Sequence, residues 1–219
     1  MSGTNYDNHV KQISNGVKKK LGKEFFTRPA IDVARDVLGK FLVRRLENGK
    51  ILEGKIVEVE AYVGPQDRAS HAFVPYRKRT RGVQKITSRN RAEFLEGGYV
   101  YIYLVYGMYW QLNITTGLKN YPECFLIRAV DVAEGKSLGR GPGKLCKYFN
   151  LDKSFYGQSV INSPKLWFED RGFKISKKDI ATTPRIGIDY AGPFWASRKL
   201  RFFIKANPAV SGRRSFSDK

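Results

Sequence analysis

At 219 residues the chain is long enough to bury a sizeable core, and we read it as one large domain rather than two small ones. Hydrophobic residues at 42% and aromatics at 13% exclude a disordered chain. Forty lysines and arginines against 20 acidic residues give a net charge of +20, which would repel itself unless the protein works against a polyanion. Nucleic acid is the leading partner, although ribosomal proteins, anionic-membrane binders and polyanion-degrading enzymes share such a charge.

The first residues, MSGTNYDNHVKQISNGVKKKLGK, are polar and lack the apolar segment of a secretory signal. Residues 1–24 read as a flexible basic tail, and a folded domain is expected over 25–219. Thr27 is placed as a helix N-cap with Pro29 in the first turn, and Ile31, Ala34, Val37 and Leu38 recur at helical spacing until Gly39. FLVRRL and ILEGKIVEVEAYV flank Asn48-Gly49, a strong hairpin signal. Alternation in the second strand puts Glu58, Glu60 and Tyr62 on one face and Val57, Val59 and Ala61 on the other.

From Arg68 to Ala92 there are eight basic residues and no acidic one, in a loop-like segment expected to end in a short helix capped at Ser88. The run is either a solvated face or a phosphate contact. YVYIYLVYGMYW, Tyr99 to Trp110, follows as a strand that turns back at Gly107-Met108 into WQLNIT, with FLIRAV as a further antiparallel strand. This is the longest apolar run, and it is too short and too rich in tyrosine to span a membrane. GPGKLCKYF leads into a short helix, residues 150–184 read as irregular, and Leu200 to Ile204 read as the last strand. Cys124 and Cys146 are too few for a disulfide framework and are not spaced as a metal site, which suggests the cytoplasm or the nucleus.

Several residues could carry chemistry. Glu60, inside an otherwise apolar strand, is either turned to solvent or a buried carboxylate that needs partners. Arg128, in the middle of LIRAV, is a candidate partner that would hold such a carboxylate ionised and ready to act as a base. His71 alone reads more readily as a structural histidine than as a catalytic one. Tyr99, Tyr101 and Tyr103 share one strand face, which cross-strand packing would explain by itself. Tyr106 and Met108, however, flank Gly107 at a hairpin tip where large side chains have no core to enter. Phosphate-cradling glycine loops, a His/Cys metal cluster and a nucleophile elbow are absent from the sequence, leaving carboxylate chemistry without metal or cofactor. A silent binder that stacks single-stranded bases on the tyrosines is the rival reading.

FF-x-RPA-x-x-x-AR-x-x-LGK-x-LVR, IVEVEAYVGPQDRASHA, SRNRAEF, YVYIYLVYGMYWQLNI, FLIRAV, GPGKLC, RIGIDYAGPFWA and LRF occur in this order from Phe25 onward. Together they resemble the 3-methyladenine DNA glycosylases of the alkyladenine glycosylase type. The resemblance implies an α+β fold, a single mixed domain with a curved antiparallel sheet, flanking helices and a protruding β-hairpin. It implies Glu60 as the residue that activates water, Arg128 as its partner in holding that water, and the backbone carbonyl of Ile186 as a third contact. Tyr62, His71 and Tyr103 match the walls of a pocket for an extruded base, Asn113 matches the residue that screens purine substituents, and Tyr106 matches the side chain that fills the hole in the duplex. Thr87, Met108 and Tyr109 match DNA-contacting positions. The implied activity is that of a glycosylase, without cofactor and expected as a monomer, acting on double-stranded DNA that contains damaged purines; no lysine stands out as a Schiff-base nucleophile, so a monofunctional reaction is expected. The stretch AFVPYRKRTRGVQKI, residues 72–86, is a basic insertion that departs from the family pattern.

Overall fold

A computed structural model describes residues 18–135 and 137–212. Most of the segment expected as a tail lies outside these residues. Its described part joins the fold: β1 (Lys19–Lys20) pairs at the sheet edge and α1 (Lys23–Phe26) buries Phe26. α2 (Ala30–Asp36) follows, but its cap is not Thr27, which instead ends α1 by donating its N–H to the Lys23 carbonyl. Pro29 occupies the N-cap itself, because its extended ψ of 143° directs its carbonyl to accept from Asp32 and Val33.

β2 (Phe41–Arg45) and β3 (Ile51–Val63) form the expected hairpin, and Gly49 at φ +83° supplies the left-handed residue its turn requires. α3 (Tyr76–Arg79) lies within the basic insertion, whose arginines and lysines are largely exposed. The turn expected to be capped by Ser88 is a 3₁₀ turn at Arg91–Phe94 preceded by Asn90. Asn90 and Thr87 instead bond each other, with the Thr87 N–H donating to Asn90 Oδ1 at 2.7 Å.

β4 (Val100–Val105) and β5 (Tyr109–Thr116) enclose a three-residue tip, Tyr106 to Met108. β6 (Glu123–Asp131) lies beside β5, and α4 (Pro142–Tyr148) starts with proline in its first turn, as GPGKLC predicts. Residues 150–184 are not all irregular: β7 (Leu166–Asp170) sits inside the sheet between β1 and β2, and β8 (Ile180–Thr183) pairs with the last strand. Both are short and supply their hydrogen bonds over long sequence distances, so local patterning does not reveal them. α5 (Pro193–Ser197) precedes β9 (Arg201–Ile204), which pairs with β8 and with β3.

The main sheet order is β1-β7-β2-β3-β6-β5-β4, every pairing is antiparallel, and the whole is an α+β domain with a curved sheet. One sheet face carries Val59, Ala61, Val100, Ile102, Leu112, Ile114, Phe125 and Ile127, and α2 and α4 cover it with Val33, Ala34, Leu145 and Cys146. A β-bulge interrupts β3 at Ile56–Val59. Val57 therefore does not share a face with Val59 and Ala61, as strict alternation predicts; it packs in a separate cluster with Ala129, Ala209 and Val210. The bulge is also where β3 changes neighbours on one edge, from β2 to β9. Among the described residues no helix is long and apolar enough to cross a membrane.

Candidate active site

Strand register assembles the site on the sheet face away from α2 and α4. Tyr101 pairs with Asn113, Asn113 with Leu126, Leu126 with Glu60 and Glu60 with Arg201, so one row of positions crosses β4, β5, β6, β3 and β9. Adjacent strands lie about 4.8 Å apart, which brings residues distant in sequence into contact along this row.

Glu60 is fully buried, which settles its environment in favour of a partnered carboxylate. Arg128 Nη1 lies 3.0 Å from Oε1, the Ile186 N–H donates to the same oxygen at 2.9 Å, and the Tyr62 hydroxyl donates to Oε2 at 3.1 Å. Ile186 thus reaches Glu60 through its backbone N–H. A carboxylate offers about four lone-pair sites, so Oε2 keeps capacity for one further donor such as a water.

Arg128 serves a second carboxylate, donating from Nε to Glu58 Oε1 at 3.0 Å. Glu58, also fully buried, accepts from Arg201 Nε at 2.7 Å and from the Ser211 hydroxyl at 2.9 Å. Burial by itself would lower the Arg128 pKa; Glu60 and Glu58 outweigh it and raise it. Two glutamates and two arginines therefore balance in charge, the condition under which ions tolerate burial. A second buried pair, Arg185 with Asp67 at 2.5 and 2.8 Å, also donates to the Ala61 carbonyl and places its guanidinium 4.7 Å from the Tyr62 ring centre. It holds Tyr62 from one side.

Next to this charge cluster, Tyr62, His71, Tyr103 and Asn113 line one cavity with Ser70, Glu93, Tyr101, Cys124 and Tyr190. Its volume is about 30 Å³, room for only one or two waters. His71 Nδ1 meets the Tyr101 hydroxyl at 2.6 Å, and its ring stands edge-on to Tyr103 at 4.7 Å. Burial, aided by Arg89 and Lys85, pushes the His71 pKa down to about 4, leaving the ring neutral at physiological pH. Burial raises the Tyr103 and Tyr101 hydroxyls, so both stay protonated donors. Asn113 Nδ2 donates to the Gln111 carbonyl, and the Gln111 side chain accepts from the Tyr103 hydroxyl.

The hairpin tip lies apart from the cavity lining. Tyr106 is 87% exposed at φ +52°, a left-handed conformation that is strained for a tyrosine, and Gly107 follows at φ +69°. Met108, Tyr109 and Thr87 are likewise exposed. Sequence reasoning missed Glu58, Arg201, Ser211, the Asp67–Arg185 pair, Tyr101, Tyr190 and Glu93. Of these, Glu58 carried a signal in the glutamate alternation of IVEVEAY and Tyr101 in the tyrosine alternation of YVYIY.

A buried, arginine-held carboxylate thus adjoins an aromatic cavity on a strongly basic α+β domain. The chain belongs to the methylpurine-DNA glycosylase family: the model of that family, Methylpurine-DNA glycosylase (MPG), matches residues 24–208. It is similar to the DNA-3-methyladenine glycosylase of Homo sapiens, 36% identical over 88% of this chain and 68% of the human protein. It is 40% identical to a provisionally named 3-methyladenine DNA glycosylase of Methanocella arvoryzae, over 88% of this chain and 96% of that one. A similarly named protein of Clostridioides difficile is 36% identical over 78% of this chain and 94% of that one. The molecule is accordingly a DNA glycosylase of base-excision repair.

Proposed function

We propose that the enzyme extrudes damaged purines from duplex DNA and hydrolyses their N-glycosidic bond with Glu60 as the general base. The observation that carries this reading is the position of Glu60: buried, held by three donors, and adjoining the cavity lined by Tyr62, His71, Tyr103 and Asn113. A base inside a helical stack is out of reach, and extrusion costs a few kcal/mol, least for a damaged or mispaired base. Tyr106, exposed and preset at the hairpin tip, fills the vacated space, while Met108, Tyr109 and Thr87 contact the duplex.

In the cavity an alkylated, cationic purine gains about 0.5–2 kcal/mol from the faces of Tyr62 and Tyr103. The neutral His71 adds no repulsion to such a cation. Asn113, fixed by its bond to Gln111, selects among purine substituents. Glu60 takes the proton of a water that attacks C1′ as an oxocarbenium-like state forms, and Arg128 and Ile186 keep the carboxylate oriented. The cavity lining includes no lysine, which supports a monofunctional reaction that leaves an abasic site in an intact strand. We further infer that the protein acts as a monomer in a DNA-containing compartment, the nucleus or a bacterial cytoplasm.

The test incubates a duplex carrying one ethenoadenine or hypoxanthine with the enzyme and cleaves abasic sites with hot alkali. Wild type gives product and Glu60→Gln gives none above background. Absence of wild-type product, or a Glu60→Gln rate equal to wild type, overturns the reading.

A further inference from the structure

Among the buried carboxylates of the described residues, Glu58, Glu60, Asp67 and Glu169 each face an arginine, whereas Glu93 forms no ion pair there. Glu93 is 2% exposed and lines the same cavity as Tyr62, His71, Tyr103 and Asn113. Its Oε1 accepts from the Cys124 thiol at 3.6 Å, and its Oε2 has no hydrogen-bond partner. An unmade bond at a buried polar atom costs about 1–3 kcal/mol, so its retention beside a ligand cavity calls for a partner that arrives with the ligand.

The groups facing Glu93 are Cys124 from β6, Tyr101 and Tyr103 from β4, Asp67, Ser70 and His71 from the segment after β3, and Tyr156 beyond α4. None of them supplies a positive charge, since His71 is neutral. Burial, with a smaller contribution from Asp67, pushes the Glu93 carboxyl up to about 8 against the opposing pull of Cys124 and Ser70. At neutral pH it is a carboxylic acid. Because Oε1 is occupied by a donor, the proton resides on Oε2.

We propose that Glu93 is the proton donor for neutral purine lesions, delivering its Oε2 proton to a ring nitrogen of the base seated in the cavity. This rests on the reading that the cavity receives the extruded base. A cationic alkylpurine leaves without help, but a neutral base such as hypoxanthine departs as an anion unless it is protonated first. In the step, the Glu93 O–H bond breaks and an N–H bond forms on the base. The C1′–N bond then breaks with its electron pair passing to the base, and water adds to C1′ and yields its proton to Glu60. One carboxyl loses a proton, the other gains one, and exchange with solvent resets both. Neither His71, already deprotonated, nor the tyrosines, whose hydroxyls are raised by burial, can take this part. An acid whose pKa lies near the working pH suits it.

The test compares single-turnover excision of hypoxanthine and of 7-methylguanine from matched duplexes between pH 6 and 9, for wild type and Glu93→Gln. Glutamine keeps the volume and can still hydrogen-bond, but it cannot transfer a proton. The ratio of the hypoxanthine rate to the 7-methylguanine rate should fall about 100-fold in Glu93→Gln. The wild-type hypoxanthine profile should decline above pH about 8 with a limb that 7-methylguanine lacks. An unchanged ratio, identical alkaline limbs for the two bases, or no wild-type action on hypoxanthine overturns the proposal. If Glu93→Gln does not fold, the two wild-type profiles decide alone. Failure of the broader reading is separate, because 7-methylguanine excision would then be missing from wild type or independent of Glu60.

Discussion

Glu58 and Glu60 share one guanidinium: Arg128 lies 3.0 Å from a carboxylate oxygen of each. Two fully buried carboxylates two residues apart on one strand would repel, so Arg128 and Arg201 are conditions of the fold as well as of the site. Glu58→Ala should therefore destabilise the protein by about 3–5 kcal/mol, the cost of leaving a buried charge unpaired. Urea denaturation measures it, and a loss below 1 kcal/mol would show that the cluster is not electrostatically coupled.

Tyr106 touches no core, so Tyr106→Ser should alter folding stability by no more than about 0.5 kcal/mol. Damage-specific affinity should weaken at least about tenfold, while the slope of log K against log salt, which counts phosphate contacts, stays within about one unit. Fluorescence anisotropy at several salt concentrations reads both, and a large change of slope would rule out the wedge role proposed for Tyr106.

His71 carries a pH signature. Its pKa is near 6.5 in an unfolded chain and about 4 in the fold, so between these values the unfolded chain binds a proton that the folded one does not. The contribution is full above pH about 6.5 and is lost as the pH falls toward 4, up to about 3 kcal/mol. In His71→Gln the melting temperature should vary less over this window than in wild type.

Glu93 acts with the opposite sign. The folded carboxyl holds its proton to pH about 8 while the unfolded one releases it near 4.5, so this contribution is full below 4.5 and lost as the pH rises through 8. Glu93→Gln should gain stability relative to wild type between pH 5 and 8.5. A parallel pair of melting curves across that range would mean that Glu93 is ionised in the fold.

Local chemistry explains why some of this architecture is legible in the sequence. Asn48-Gly49 names its hairpin, and the alternation in YVYIYL separates Ile102 from Tyr101 and Tyr103 as the structure does. The meeting of Glu60 with Arg128, and of Tyr62, His71, Tyr103 and Asn113 in one cavity, is legible because these residues sit in regular strands or in recognisable motifs. The bulge at Val57 is not, since an extra residue in a β-branched strand leaves no compositional trace. Nor is Glu93, which comes to line the cavity through a 3₁₀ turn pinned from outside, where the Ala92 N–H donates to the Tyr156 hydroxyl at 2.9 Å. β7 and β8 escape for a related reason: their partners, not their residues, make them strands.

Ser211 donates its N–H and hydroxyl to Glu58 from 153 positions further along the chain. Synthesis runs at about 5–20 residues per second, so roughly 8–30 s separate the appearance of Glu58 from that of its last donor. During that interval a nascent chain carries the glutamates without their full set of counter-charges. The buried charge cluster is thereby completed only once Ser211 has been made, and an interrupted chain that lacks Ser211 leaves the ribosome without it.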